Sequence, residues 1–203
     1  MAHALLLAAF PPELAGLDLA PPTDWRVACT GVGALAAAIT TTRLIAEARP
    51  DRVVFIGTCG AYDSRLGIGD LITVSRVLVT SLDEQEGRAY RPGPERTAWD
   101  AVPLPGLPAH TVAIPPAITQ TQAGAQRLAA IAPAEHLELS GVFAACKQAG
   151  IPASAALAVA NRVGPDAHAE WSANHAACSQ ALVKALRERG VFEPSGMSRM
   201  DQA

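Results

Sequence analysis

Two glycine-containing segments have the composition of ligand-binding turns. Thr30-Gly31-Val32-Gly33 lies between an apparent strand and an apparent helix, where free backbone N–H groups can bind an anion or the polar edge of a ligand. A tight turn that only lets the helix pack is the alternative. Gly57-Thr58-Cys59-Gly60-Ala61 follows an apolar strand, and its two glycines allow a ligand to approach the backbone closely. Because ligands in open α/β sheets bind beyond the carboxyl ends of strands, this second segment is predicted to contribute to a binding site.

Three single polar residues stand where they can act on a ligand. Glu13 follows the first apparent strand; a carboxylate there can orient or deprotonate water, although the residue types alone favour an exposed loop glutamate. Glu138 lies between two leucines, and because burial of a carboxylate is costly, either a pair of ribose hydroxyls or a backbone turn must satisfy it. Asn161 ends an apolar strand, and its amide both accepts and donates, which suits a purine edge or a turn.

The elements that must position these residues alternate between short apolar strands and helices. The predicted strands are 4–9, 26–29, 53–56, 71–79, 111–114 and 153–160, and the predicted helices are 34–48, 121–131, 139–149 and 169–189. This alternation predicts an α/β fold with a mixed, mostly parallel sheet flanked by helices on both faces. The loops after residues 9, 29, 56 and 160 are predicted to converge on one pocket.

The composition of the remaining segments indicates where a long connection and the end of the domain lie. Segment 81–108 is rich in charged residues, proline and glycine, which is typical of a long mobile excursion with a functional role. We expect a single domain over residues 1–192 and a loose tail over 193–203.

Composition excludes several classes of protein. The 203 residues are 50% hydrophobic and 17% charged, with a formal net charge of −3, which argues against disorder and against the basic face that nucleic acid requires. The cysteines lack the close spacing of a zinc site or a disulfide framework, so we expect reduced thiols in a cytoplasmic protein without a metal; they are Cys29, Cys59, Cys146 and Cys178. The apolar run 4–10 lacks a basic n-region and indicates a buried strand, and no apolar stretch has the length of a membrane span.

Taken together, the motifs resemble those of a known family. The segments TGVG, RPDRVVFIGTCGA and LGIGDLITVS, between residues 30 and 75, are similar to the superfamily of purine and uridine phosphorylases and methylthioadenosine or futalosine-type nucleosidases. The resemblance continues through Leu137-Glu138, Gly150-Ile151-Pro152 and the strand ending at Asn161, and leaves 81–108 poorly matched. It implies a nucleoside phosphorylase-like domain, a nucleoside substrate with phosphate as a second candidate substrate, no cofactor, and a homodimer or larger homo-oligomer.

The resemblance also implies roles for individual residues. Glu138 matches the glutamate that holds the ribose 2′ and 3′ hydroxyls, Leu137 lies beneath the sugar, and Ile118 falls where a side chain packs on the base. Glu13 matches the glutamate with which nucleosidases position the attacking water. Thr58 matches a hydroxyl residue that contacts phosphate in the phosphorylases. Cys59 and Gly60 complete the predicted substrate site, and a candidate anion site is formed by Thr30, Gly31, Gly33 and Thr58.

Two residues depart from the family pattern, with opposite implications. Asn161 stands where nucleosidases have an aspartate that protonates N7 of the leaving purine; an asparagine there is similar to the trimeric purine nucleoside phosphorylases, and it stabilises charge on the base only by hydrogen bonding. Phe55 stands where some phosphorylases carry a phosphate-binding arginine, which removes a strong anion contact.

We therefore expect cleavage of the N-glycosidic bond of a purine-type nucleoside, with Glu13 and Asn161 as catalytic residues and hydrolysis favoured because Glu13 is present. Phosphorolysis, completed by an arginine such as Arg43 or Arg162, is the first alternative. Nucleoside binding without catalysis is the second.

Overall fold

The computed structural model describes residues 4–17, 22–92 and 97–193. The strands of this part are β1 (Ala4–Ala8), β2 (Trp25–Cys29), β3 (Arg52–Ala61), β4 (Leu71–Val79), β5 (Ala98–Asp100), β6 (Ala109–Ile114), β7 (Ala134–Glu135) and β8 (Ala153–Arg162). The helices are α1 (Ala34–Ala48), α2 (Leu82–Gln85), α3 (Gln122–Ala129), α4 (Leu139–Ala149) and α5 (Ala167–Glu188), and a 3-10 turn covers Pro11–Leu14. Apart from Glu193, the predicted tail lies outside the described residues.

The strands form one sheet with β3 at its centre. Their order is β2-β1-β3-β7-β6-β4-β5, and β8 pairs with both β3 and β4. The pairings from β3 through β8, β4, β6 and β7 therefore return to β3 and close part of the sheet into a ring. Five of the eight pairings are parallel and three are antiparallel. The predicted mixed, mostly parallel α/β sheet is confirmed.

Alternate residues of the inner strands face opposite sides of the sheet, as the pleat requires. Leu5, Leu7 and Phe55 belong to a core that also contains residues of α1 and α4. Leu6 and Ile56 belong to a second core that contains residues of α5. Helices thus cover both faces, and this explains why the sequences of β1 and β3 are continuously apolar rather than alternating.

Helices α1 and α4 approach each other closely at a glycine. A β-carbon on Gly141 would overlap the carbonyl oxygen of Ala34 and lie 2.8 Å from the amide nitrogen of Ala38. Only glycine permits this approach. It brings the N-terminus of α1, capped by Gly33, next to the N-terminus of α4, capped by Glu138.

Two sequence-based predictions about segments are wrong. Residues 57–61 were expected to form a loop after the central strand, but they continue β3 because β8 and β7 extend far enough to pair with them. Segment 81–108 was expected to be one long excursion, but it contains α2 and β5, and β5 pairs with β4. Residues 93–96 of that segment lie outside the described residues. The other boundaries differ from the predictions by no more than two residues.

Two further features concern the helices and the cysteines. None of the helices in the described ranges combines the length and apolar character needed to cross a membrane. All four cysteines are free, and three of them are buried. Burial raises the pKa of the Cys146 thiol to about 12, so this sulfur stays protonated and unreactive near neutral pH.

Candidate active site

A cavity of about 810 Å³ lies beside the ends of the central strands, within the size range of small-molecule sites. Its walls come from the turns after β1 and β2, the ends of β3 and β8, the loop before α3, the segment around β7 and the start of α5. The turn after β2 contributes Val32. Eight predicted site residues line it, namely Glu13, Thr58, Cys59, Gly60, Ile118, Leu137, Glu138 and Asn161. The expected convergence of strand ends on one pocket is confirmed.

Glu13 is held by three hydrogen bonds inside the 3-10 turn that follows β1. Its Oε2 accepts from the amide of Ala9 at 3.0 Å, and its Oε1 accepts from the amide and the hydroxyl of Thr58 at 2.8 and 2.9 Å. Burial, assisted by the charge of Glu138 and opposed by these bonds, raises the pKa of Glu13 to about 7. A carboxyl group with this pKa can act as a general base near neutrality. The expectation of an exposed loop glutamate is wrong, because Glu13 is only 3% exposed.

Thr58 connects Glu13 to an aromatic group on α5. Its hydroxyl donates to Glu13 and accepts from the indole Nε1 of Trp171 at 3.1 Å. Trp171 stacks on His175, with ring centroids 4.3 Å apart. The single O–H of Thr58 is therefore already used within the protein, and Thr58 orients Glu13 in this arrangement.

Glu138 is buried at the start of α4. Its Oε1 accepts from the amide of Gly33 at 2.7 Å. Its Oε2 lies 3.2 Å from Nδ1 of His136, and that nitrogen accepts from the amide of Glu138, also at 3.2 Å. Burial lowers the pKa of His136 more than the Glu138 charge raises it, so the ring is neutral near pH 7. Each carboxylate oxygen can accept a further hydrogen bond, for instance from a hydroxyl group.

The donors of Thr30, Gly31 and Gly33 in the candidate anion site are used within the protein. The amide of Gly31 donates to the carbonyl of Ala9 at 3.0 Å, and that of Gly33 donates to Glu138. The hydroxyl of Thr30 donates to the carbonyl of Gly31 at 3.0 Å. The cavity lining includes none of Thr30, Gly31 and Gly33. Both glycines have positive φ angles, 83° and 90°, which supports the alternative of a tight turn.

Asn161 reaches the cavity through a register shift between β3 and β8. The pairing shifts after Cys59, so that Gly60 faces Asn161. A β-carbon at Gly60 would lie 3.0 Å from Nδ2 of Asn161 and 2.8 Å from a methyl carbon of Val163. Glycine at position 60 therefore leaves room for the asparagine. Nδ2 donates to the carbonyl of Arg162 at 3.0 Å, which leaves its second N–H for another acceptor.

The two arginines suggested as phosphate ligands form ion pairs and do not line the cavity. Arg43 pairs with Glu47 on α1, and Arg162 pairs with Glu170, each at 2.6 Å. Phe55 is fully buried and makes an edge contact with the His136 ring at 5.2 Å. Within the described ranges, the cavity lining contains three glutamates and neither lysine nor arginine.

Several lining residues were missed by sequence reasoning. Glu135 and His136 come directly before the predicted Leu137 and Glu138, and the run of three polar residues among four was their signal. Trp171 and His168 lie on α5. Whether these two side chains reach the cavity depends on how α5 packs against the sheet. The sequence around them therefore contains no signal like the polar run before Leu137.

The chain belongs to the Phosphorylase superfamily, whose sequence model matches residues 24–188. A curated 5′-methylthioadenosine/S-adenosylhomocysteine nucleosidase from Staphylococcus saprophyticus is 32% identical over 84 residues, which are 41% of this chain and 32% of that protein. The chain spans a third or less of the length of the curated relatives it matches.

Solved structures are similar over nearly the whole chain. An aspartate-to-asparagine mutant of the Helicobacter pylori methylthioadenosine nucleosidase, with 5′-methylthioadenosine in its active site, has a TM-score of 0.80 at 16% identity, covering 93% of this chain and 98% of that one. Futalosine hydrolase of Helicobacter pylori has a TM-score of 0.79 at 17% identity, covering 93% and 97%. These similarities confirm the nucleoside phosphorylase-like fold and the resemblance drawn from the motifs.

Proposed function

We propose that this protein hydrolyses the N-glycosidic bond of a purine-type nucleoside. The observation that carries the proposal is the buried Glu13, which has a pKa of about 7 and faces a cavity that Glu138 and Asn161 also line. A water molecule bound to Glu13 attacks the anomeric carbon of the sugar as Glu13 accepts its proton. The bond from that carbon to the base breaks with its electron pair passing to the base.

Glu138 binds and stabilises the sugar in this scheme. Its two oxygens accept hydrogen bonds from the ribose 2′ and 3′ hydroxyls while Gly33 keeps the carboxylate in place. The transition state resembles a ribosyl oxocarbenium ion, and nearby negative charge lowers its free energy. Leu137 and Ile118 supply apolar surface at the sugar and the base.

Asn161 stabilises the leaving base without protonating it. An amide has no acidic proton to give, but its free N–H donates to a ring nitrogen on which negative charge develops. The base then takes its proton from solvent.

The electrostatics of the cavity support water rather than phosphate as the nucleophile. Glu13, Glu135 and Glu138 line it, and these carboxylates repel a dianion. The neutral donors expected at Thr58, Gly31 and Gly33 are used within the protein. Water needs only an acceptor such as Glu13.

Nucleoside binding without catalysis is the second candidate function. Asn161 favours it because asparagine cannot act as a general acid. The Helicobacter pylori mutant with aspartate replaced by asparagine holds 5′-methylthioadenosine in its active site. That observation concerns another protein, but it is consistent with nucleoside binding by a protein in which an asparagine replaces an aspartate.

One experiment separates these functions. The protein is incubated with 5′-methylthioadenosine, adenosine, inosine and guanosine, with and without phosphate, and free base is quantified by chromatography. We expect release at the same rate in both conditions. Release only with phosphate would establish phosphorolysis, and calorimetric binding without release would establish the non-catalytic function.

We also propose that the protein forms a homo-oligomer through α1. Val32, Leu35 and Ile39 are exposed by 65%, 76% and 64%. Leu35 and Ile39 lie one turn apart on the same face of α1, and Val32 lies in the turn just before the helix. Val32 lines the cavity as well. Light scattering coupled to size-exclusion chromatography tests this, and a monomer at micromolar concentration would contradict it.

A further inference from the structure

The indole N–H of Trp171 begins a chain of hydrogen bonds that ends on Glu13. It donates to the hydroxyl oxygen of Thr58 at 3.1 Å, and that hydroxyl donates to Oε1 of Glu13 at 2.9 Å. Tryptophan is only a donor and an ionised carboxylate is only an acceptor. The direction of the chain, from Trp171 through Thr58 to Glu13, is therefore fixed by the chemistry of its two ends.

This direction decides what Thr58 can do for Glu13. A threonine hydroxyl has one O–H and two lone pairs, and it rotates to suit its partners. The indole N–H occupies one lone pair, so the O–H cannot turn towards Trp171, and it points to Glu13 instead. A hydroxyl that accepts a hydrogen bond is also a stronger donor, because the bonds in a chain polarise one another.

Aromatic contacts keep the indole in this place. Its ring stacks on His175, with centroids 4.3 Å apart and planes 13° apart, and His168 stacks at 6.1 Å and 19°. The three residues are three and four positions apart on α5, so they share one face of the helix. Phe10, just before the turn that carries Glu13, lies 5.8 Å from the indole. Rotation of Trp171 away from Thr58 would break these contacts.

The charge of Glu13 depends on the hydrogen bonds it accepts. Burial raises the pKa of Glu13 to about 7, while the bonds from Thr58 and Ala9 oppose the rise and the charge of Glu138 adds to it. A hydrogen bond to the ionised form of a carboxyl group favours that form. Weakening the bond from the Thr58 hydroxyl should therefore raise the pKa of Glu13 further.

Other titratable groups lie near the chain. Burial raises the pKa of the Cys29 and Cys59 thiols, and the charge of Glu13 adds to the rise, so both stay protonated near neutral pH. His168 and His175 stack beside Trp171. All four groups remain when only Trp171 or Thr58 is replaced, so comparison with the wild type isolates the chain.

We propose that Trp171 is a positioning residue for the general base: its indole N–H holds the Thr58 hydroxyl as a donor to Glu13, which favours the ionised carboxylate that accepts the proton of the attacking water. The catalytic part of this inference rests on the proposed hydrolysis. The effect on the charge of Glu13 does not, and it is measurable without turnover.

Titration of Glu13 by NMR tests the proposal. The glutamate carboxyl carbons are labelled with ¹³C, and the Glu13 signal is the one that Glu13→Gln lacks. Thr58→Val removes a hydrogen bond to the ionised carboxylate, so the midpoint of the Glu13 titration should rise by about 1 to 2 pH units. Trp171→Phe keeps an aromatic ring but removes the N–H, which weakens the bond from Thr58 without deleting it, and the midpoint should rise by about 0.3 to 0.5 pH unit.

A double variant separates hydrogen bonding from packing. If Trp171 acts through Thr58, then Trp171→Phe should add no rise in a protein that already carries Thr58→Val. Trp171→benzothienylalanine replaces the N–H by sulfur in a ring of nearly the same size, and it should give the rise of Trp171→Phe without loosening the helix. Trp25→Phe is the matched control. The indole of Trp25 donates to the carbonyl of Phe192 at 3.2 Å and does not line the cavity, so the titration of Glu13 should not change.

The outcomes separate this inference from the proposed function. A Glu13 titration unchanged by Trp171→Phe and by Trp171→benzothienylalanine would overturn the inference and leave hydrolysis intact. A rise that persists in the double variant would show that Trp171 acts by packing, which also overturns it. Where base is released, the acid limb of kcat/KM should move to higher pH by the same amount as the NMR midpoint. The expected rise in a protein that releases no base would support the role of Trp171 and contradict hydrolysis.

Discussion

Glu13 and Thr58 are joined twice, because one carboxylate oxygen of Glu13 accepts both the amide of Thr58 at 2.8 Å and its hydroxyl at 2.9 Å. The two residues are 45 positions apart in the chain, and the contact ties the turn after β1 to the middle of β3. A third bond from Ala9 holds the other oxygen. The carboxylate is therefore confined to one orientation, as a group that must face a bound water requires.

Replacing Glu13 by glutamine should abolish most of the hydrolysis. The amide keeps the size of the side chain but cannot accept a proton from water. General-base catalysis contributes about 10²- to 10⁴-fold, and we expect base release in the absence of phosphate to fall by that factor. Chromatography of the released base measures it.

Glu47→Gln is a matched control for this variant. Glu47 on α1 pairs with Arg26 of β2 and Arg43 of α1 and does not line the cavity, so the activity of Glu47→Gln should equal that of the wild type. Base release that requires phosphate and survives Glu13→Gln would show that a basic group completes a phosphorylase site.

Activity should rise with pH up to neutrality. The folded pKa of Glu13 is about 7, and only the ionised form accepts a proton from water. Below that pKa, kcat/KM should fall about tenfold for each pH unit, because the ionised fraction falls by that factor. Initial rates from pH 5 to 8.5 test this, and a flat profile over the range would exclude Glu13 as the base.

The same pKa shift predicts how stability depends on pH. Folding raises the pKa of Glu13 from 4.5 to about 7, so between these values the folded state binds more protons than the unfolded state. The free energy of unfolding then falls as pH rises through this interval. The shift corresponds to about 3 kcal/mol. Urea unfolding at several pH values measures this effect. Between pH 4.5 and 7, the free energy of unfolding of the wild type should fall by about 3 kcal/mol relative to that of Glu13→Gln.

The comparison with Glu13→Gln isolates this group. Burial also raises the pKa of Glu135 and lowers that of His136, and both residues are present in both proteins. A constant stability difference across the interval would contradict the raised pKa of Glu13.

The sequence predicted many of the residues that line the cavity because they stand at the ends of recognisable strands. Continuous apolar runs identified β1 and the first half of β3, and Glu13, Thr58 and Asn161 follow or end such runs. The family resemblance supplied Glu138. In parallel strands these ends meet at one edge of the sheet, so their convergence on a cavity follows from chain topology.

Features that depend on contacts between distant segments could not be predicted. The segment after Ile56 looked like a loop because its glycines and polar residues are poor strand formers, yet pairing with β8 extends β3 through it. The amide of Gly33 was counted as a free donor because its partner, Glu138, lies 105 positions away. Glu135 was missed because β7, which positions it, is a strand of two residues and too short to show a periodic pattern; only its polar neighbours in the sequence marked it.

Replacing Glu138 by glutamine should weaken binding of ribonucleosides selectively. Glutamine offers one acceptor oxygen instead of two and lacks the negative charge, so one charge-assisted bond to a ribose hydroxyl is lost. Such a loss costs about 1.5–3 kcal/mol. Calorimetry should show that 2′-deoxynucleosides bind the wild type weakly and are affected much less by the substitution. Equal wild-type affinity for inosine and 2′-deoxyinosine would reject the assignment.

Replacing Gly60 by alanine should crowd the side chain of Asn161 at the wall of the cavity. The added methyl group would lie 2.8 Å from Val163 and 3.0 Å from Nδ2 of Asn161, so the asparagine must move or the strands must separate. Overpacking of this kind costs about 1–3 kcal/mol of stability, and we expect nucleoside binding to weaken by more than tenfold. Gly67→Ala is the control, because the nearest atom to its β-carbon is a carboxylate oxygen of Asp70 at 3.8 Å. Thermal unfolding and nucleoside titration of both variants measure these effects. If Gly60→Ala bound nucleosides as tightly as Gly67→Ala, the position of Asn161 would not matter for nucleoside binding.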